Sequence, residues 1–265
     1  MNRGLKSAFE RGDDPLGTWL SIGHPVVAEV SALGGFDFLL LDTEHTSISL
    51  ETVENMVRAV EATEGRTEMV VRVPANDPVR IKRVLDIGAP GIMVPMIESA
   101  TDARAFVEAT RYPPDGVRGI ATGRATAYGR EFRRYVAEVN DRLLRIVQIE
   151  NRAGLENAEE IAAVDGVDAL FVGPADLSGA LGVFAEWDAD DLTAAMERVV
   201  DAGRAAGVPV GTLTVDPDDI EMRLDQGFDF LVVGKDTASL LVTHEQLRAR
   251  YDAARSPDGE ADDGP

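Results

Sequence analysis

The chain has 265 residues, 45% of them hydrophobic, and a formal net charge of −21. That length and hydrophobic content suffice for one full core, while the negative surface disfavours partners such as nucleic acid or anionic membranes. With no cysteine, disulfides, thiolate metal sites and a cysteine nucleophile are excluded.

The segment LKSAFERGD (5–13) predicts a short helix ending at Gly12. LGTWLSI (16–22) predicts a first strand, 25–33 a helix closed by Gly34-Gly35, and FDFLLLD (36–42) a second strand. In 50–63 the apolar Val53, Met56, Val57 and Val60 recur at helical spacing. EMVVRV (68–73) predicts strand three, followed by a helix at 77–87 with Ile81, Val84 and Leu85 on its inner face. GIMVPM (91–96) predicts strand four, with a helix at 99–110. The stretch 111–129 is rich in Gly, Pro and Arg; connections this long are usually functional or disordered. A helix at 131–141, strand five at 143–149 and a helix at 154–163 follow. DALFVG (168–173) predicts strand six, then a polar excursion at 176–188 and a helix at 190–206. VPVGTLT (208–214) and FDFLVVG (228–234) predict strands seven and eight, with helices at 216–226 and from 235 to about 254.

Eight strand-then-helix units imply a parallel sheet, and the continuous Val/Ile/Leu/Phe runs suit strands buried on both faces. The expected fold is α/β, a single (β/α)₈ TIM barrel over residues 1–255 with a short N-terminal helix. The last ten residues, 256–265, are acidic and apolar-poor and are expected to be a disordered tail. A doubly wound open sheet is the alternative, but LSIGHPVV lacks the G-x-G-x-x-G expected after its first strand. No apolar run reaches the roughly 18 residues that span a bilayer, and the N-terminus lacks a signal-peptide core. A cytoplasmic location is expected. The acidic surface carries only three lysines (Lys6, Lys82 and Lys235), which suggests a halophilic protein from a salt-rich cytoplasm, where counterions screen self-repulsion.

In a parallel barrel the C-terminal strand ends open onto one mouth, and polar residues there read as catalytic. His45, Arg72, Glu150 and Asp176 would share that cup. Gln148 and Glu150, two apart, point to the same side. Glu150 and Asp176 form a hard oxygen pair suited to Mg²⁺ or Mn²⁺; the competing reading is helix capping and first-turn placement. His45 suits general-base work, with His24 and His244 as alternatives. Arg72, inside an apolar strand, must be paired or must bind an anion. Asp86, ending a helical run, reads by default as a surface residue. Imine chemistry needs a lysine in the pocket, and only Lys235 is placed to enter the mouth.

The motifs LLLDTEH, VVRVP, IKRVLDIGAPGIMVPMIES, RYPPDGVRG, VQIEN, GVDALFVGPADLS and FLVVGKDT resemble the series of the HpcH/HpaI aldolases over about residues 4–250. These are class II, metal-dependent pyruvate aldolases typified by 2,4-dihydroxyhept-2-ene-1,7-dioate aldolase. The resemblance implies a lyase cleaving 4-hydroxy-2-oxo acids to pyruvate and an aldehyde, or the reverse addition, through a pyruvate enolate. It implies Glu150 and Asp176 as metal ligands, with Mg²⁺ or Mn²⁺ first and Co²⁺ as a further option. His45 would be the base, Asp86 the acid that raises its basicity, and Arg72 the enolate-stabilising arginine. Gln148, with the backbone around Ala175 and Asp176, would bind pyruvate. Asp42 and Glu44 share the DxEH motif without an assigned role. A homo-oligomer, often a hexamer exchanging the segment after strand eight, is implied too. The loop IATGRATAYG, which contains Arg124, and Lys235 depart from the family pattern; both are expected near the mouth, which leaves the aldehyde open. The alternatives are a coenzyme A thioester lyase related to the citrate lyase beta group, or a non-catalytic barrel that binds a small acid.

Overall fold

A computed structural model describes residues 4–255; the expected tail at 256–265 lies outside them. Eight parallel strands close into a barrel in sequence order. They are β1 (Leu16–Leu20), β2 (Phe38–Asp42), β3 (Glu68–Arg72), β4 (Gly91–Val94), β5 (Leu144–Ile149), β6 (Ala169–Val172), β7 (Val210–Thr214) and β8 (Phe230–Lys235). Around them run α2 (Pro25–Leu33), α3 (Leu50–Ala62), α4 (Pro78–Ile87), α5 (Ala100–Thr110) and α6 (Phe132–Arg142). After β5 come α7 (Arg152–Glu156) and α8 (Ala158–Ala162); then α9 (Pro174–Leu181), α10 (Asp190–Ala206), α11 (Ile220–Asp225) and α12 (Asp236–Arg255). The TIM barrel expected from the alternation is the fold observed.

Alternation along the strands sorts side chains into two cores. Phe38, Leu40, Val70, Met93, Leu144, Ile146, Phe171, Phe230 and Val232 fill the barrel interior. Their outward neighbours, such as Leu39, Leu41, Val71, Ile92 and Val147, pack against the helices. Each fully buried Leu, Ile, Val or Phe contributes roughly 1.5–3 kcal/mol, so the wall is rigid enough to hold polar groups at its rim.

The first helix, α1 (Leu5–Arg11), closes the end where the strands begin. Phe9 meets the rings of Phe230 and Phe38 at centroid distances of 4.8 and 6.0 Å. Leu5 N donates to Glu68 Oε2 at 2.8 Å, and Lys6 Nζ lies 3.0 Å from Asp168 Oδ1.

Three local expectations change. The polar excursion after β6 begins as helix α9, with Pro174 in its first turn, where proline's fixed φ and missing N–H cost nothing. The helix expected at 154–163 is two short helices separated at Asn157. The Arg-rich loop is ordered at the opposite end from the mouth. Arg124 Nη1 donates to Ile87 O at 2.6 Å and its Nη2 pairs with Glu61, both near the ends of helices that return to the strand starts.

Candidate active site

At the mouth, alternation turns Asp42, Arg72 and Gln148 inward, and Glu150 follows one step beyond β5. Asp42 and Arg72 are register partners on β2 and β3. Arg72 Nε donates to Asp42 Oδ1 at 3.0 Å, and its Nη2 lies 2.9 Å from Oδ2. A third donor, Nη1, sits 2.9 Å from Glu44 Oε2. The guanidinium stacks 4.6 Å over the buried Trp19 ring. A guanidinium has five N–H donors; here only Nε makes a hydrogen bond, the contacts to Asp42 Oδ2 and Glu44 Oε2 being ion pairs, so donors remain for a ligand. The expectation that a buried arginine must be paired is met here by two carboxylates.

Asp42, only 2% exposed, also folds the turn that follows it. Its Oδ1 accepts from Glu44 N at 3.0 Å and His45 N at 3.4 Å, and Thr46 Oγ1 donates to its carbonyl at 2.6 Å. This turn lifts His45 onto the rim, where its side chain is 68% exposed with Nε2 3.9 Å from Glu44 Oε2. Glu44 therefore stands between His45 and Arg72. Burial is the largest cause that raises its carboxyl pKa, against the lowering pull of Arg72.

Glu150 is buried. Its Oε1 accepts from Met96 N at 2.8 Å, and its Oε2 from Gln148 Nε2 at 2.5 Å. Burial pushes its pKa up to about 7, and the charges of Asp176 and Glu44 add to the rise. Met96 holds its amide there with φ 55°, a left-handed conformation that costs a non-glycine residue about 1 kcal/mol or more. Nothing in the apolar reading of GIMVPM pointed to that role.

Asp176 lies exposed in the first turn of α9. No side chain caps this helix, so the amides of Ala175 and Asp176 are among its unsatisfied first-turn donors. Such amides favour an anion.

The residues suit a divalent cation. Glu150 and Asp176 offer only oxygen, as Mg²⁺ and Mn²⁺ prefer. Gln148 Oε1 is buried without a hydrogen-bond partner, and a Cβ at Gly173 would stand 2.5 Å from Glu150 Oε2, so glycine there keeps the carboxylate's space open. Among the described residues no group of three or more His, Asp or Glu is arranged to hold a metal. Two carboxylates leave the remaining coordination positions to water and substrate.

Other predicted residues lie elsewhere. Asp86 is at the end of α4, on the face where the strands begin, with Oδ1 accepting from Arg118 Nη2 at 3.0 Å; one chain does not bring it to His45. His24 caps α2, its Nδ1 accepting from Val26 N at 3.2 Å, and His244 is exposed on α12.

No described helix is long and apolar enough to cross a membrane. The family model described as "HpcH/HpaI aldolase/citrate lyase" matches residues 16–242. A 4-hydroxy-2-oxovalerate aldolase of Novosphingobium aromaticivorans is 44% identical over 88% of this chain and 88% of its own. A 2-dehydro-3,6-dideoxy-6-sulfogluconate aldolase of Pseudomonas putida is 39% identical over 96% and 98%. A crystal structure of an HpcH/HpaI aldolase/citrate lyase family protein from Burkholderia cenocepacia J2315 superposes with a TM-score of 0.91 at 39% identity, covering 95% of this chain and all of that one. The chain belongs to the HpcH/HpaI aldolase/citrate lyase family.

Proposed function

We propose that the protein is a class II pyruvate aldolase, a lyase that cleaves 4-hydroxy-2-oxo acids to pyruvate and an aldehyde or catalyses the reverse addition. The observation that carries this reading is the buried Glu150 carboxylate, bonded to Gln148 and the Met96 amide beside Asp176 and Arg72, in a chain of this family.

Glu150 and Asp176 would hold the divalent ion, with Mg²⁺ or Mn²⁺ favoured and Co²⁺ an option. When bound, such an ion supplies Lewis acidity to the 2-oxo group, an effect of several kcal/mol. The substrate carboxylate meets the first-turn amides of Ala175 and Asp176, and the Gln148 amide lines the same pocket. His45, through a water, takes the proton of the C4 hydroxyl. The C3–C4 bond breaks, the aldehyde leaves, and the electron pair passes to the C2 oxygen. The Arg72 donors left free offset the charge that develops there. His45 then returns the proton to C3, giving pyruvate; acid–base help of this kind is worth about 10²–10⁴ in rate.

Asp86 could serve His45 only from a second copy of the chain. Assembly is supported by α12, which buries no residue and exposes Leu240, Leu241, Leu247 and Tyr251. A cytoplasmic homo-oligomer belongs to the same reading.

The test is pyruvate release from a panel of 4-hydroxy-2-oxo acids with Mg²⁺ or Mn²⁺ and with chelator. Release is expected with metal alone; equal release in chelator overturns the reading.

A further inference from the structure

The last turn of β8 breaks the alternation of the barrel wall. Phe230 and Val232 point inward, so a regular strand would send Gly234 inward and Lys235 outward. The pairing with β1 runs Leu16 with Leu231 and Gly17 with Val232, then jumps to Trp19 with Lys235. One extra residue is accommodated on β8, where Gly234 takes φ +71°, a conformation natural to glycine. Partners in a parallel ladder face the same side. Trp19 belongs to the interior cluster, so the bulge swings Lys235 from the outer surface to the mouth.

Neighbouring contacts fix the bulge and leave the lysine free. Asp236 accepts from Ser21 N at 2.9 Å, Ile22 N at 2.8 Å and Thr237 N at 2.7 Å. Its carboxylate is thus committed to backbone amides and ties the end of β8 to the end of β1. The side chain of Lys235, a part-buried residue, makes no ion pair or hydrogen bond among the described residues. It is one of three lysines in a chain of net charge −21; Lys6 is paired at the closed end with Asp168. A part-buried lysine whose ammonium has no partner at a ligand-accepting rim can bind an anion.

Its place in the barrel names which end of a ligand it meets. In eight strands, β8 stands across from β4 and β5, which carry the Met96 amide, Gln148 and Glu150. A substrate whose 2-oxo acid end lies at Glu150 and Asp176 directs its other end toward the β8 wall. We infer that Lys235 is a specificity-determining residue that binds a terminal carboxylate or phosphate on the aldehyde half of the substrate, an inference that rests on the aldolase reading.

The test compares wild type, Lys235→Met and Lys235→Arg, each with added Mg²⁺ or Mn²⁺. Succinic semialdehyde is set against butanal, and glyceraldehyde 3-phosphate against glyceraldehyde, with deuterium exchange at pyruvate C3 as a readout that needs no aldehyde. Lys235→Met is expected to raise KM about 10- to 100-fold for one anionic aldehyde, with the neutral partner and pyruvate exchange unchanged. Lys235→Arg should restore most of the loss. The pair that responds tells carboxylate from phosphate. Unchanged discrimination between charged and neutral aldehydes, a rise confined to the KM of pyruvate, or borohydride trapping of pyruvate on Lys235 overturns the assignment while the aldolase reading stands. Wild type without metal-dependent exchange removes that reading and this inference with it.

Discussion

Arg72 and Asp42 meet through both carboxylate oxygens, at 3.0 and 2.9 Å, with both side chains buried. Removing one partner leaves an uncompensated charge inside the barrel wall. Arg72→Ala should therefore lose about 3–5 kcal/mol of stability. Adding Asp42→Asn should return part of that loss, because the two sites couple directly. Denaturant midpoints of both single variants and the double variant measure the coupling; additive losses would contradict a buried pair.

Glu150 gives a pH signature in protein stripped of divalent ions. Its pKa is raised to about 7, chiefly by burial, so folding favours the protonated carboxyl. Its contribution is fully present below about pH 4.5 and is lost as pH rises through 7. The loss is about 3 kcal/mol. Melting temperatures in chelator at pH 5 and pH 8 should therefore diverge more for wild type than for Glu150→Gln. An identical pH response in the two proteins would remove the basis of the prediction.

His45 is exposed enough to be changed without disturbing the core. His45→Asn should slow pyruvate C3 exchange by about 10²–10⁴ while leaving Mn²⁺ affinity, measured by calorimetry, close to wild type. Loss of metal binding in this variant would reassign the residue.

Gly173 offers a steric test. A Cβ there would lie 2.5 Å from Glu150 Oε2 and 2.6 Å from Gln148 Nε2, closer than real Cβ contacts allow. Gly173→Ala should abolish Mn²⁺ binding with the barrel still folded by far-UV circular dichroism. Retained affinity would show that the Glu150 and Gln148 side chains give way and that Gly173 is not needed for the site.

The net charge of −21 should make stability depend on salt. Dialysis into dilute buffer is expected to lower the melting temperature, and molar NaCl or KCl to restore it, as screening shortens the reach of like charges. Full stability at low ionic strength would refute the saline-habitat expectation.

What could be read in advance follows from local periodicity. The strands are apolar runs whose polar terminators occupy inward positions, so Arg72, Gln148 and Glu150 were visible as a set. Arg145 shows the limit of that logic. It too interrupts an apolar strand, but it points outward and is satisfied by Thr110 Oγ1, Leu143 O and Asn140 O, a purely structural solution. Lys235 was legible as a residue near the mouth, yet its inward turn depends on a bulge that single-strand alternation contradicts. Met96 acts through its amide, which no side-chain pattern reveals. Asp86 resists for another reason: the return path of a helix separates it from the rim by the height of the barrel.

Phe9, lodged against Phe38 and Phe230, plugs the barrel at the end where its strands begin, and the interior above it is packed solid. Whatever reaches Glu150 must therefore come and go over the opposite rim.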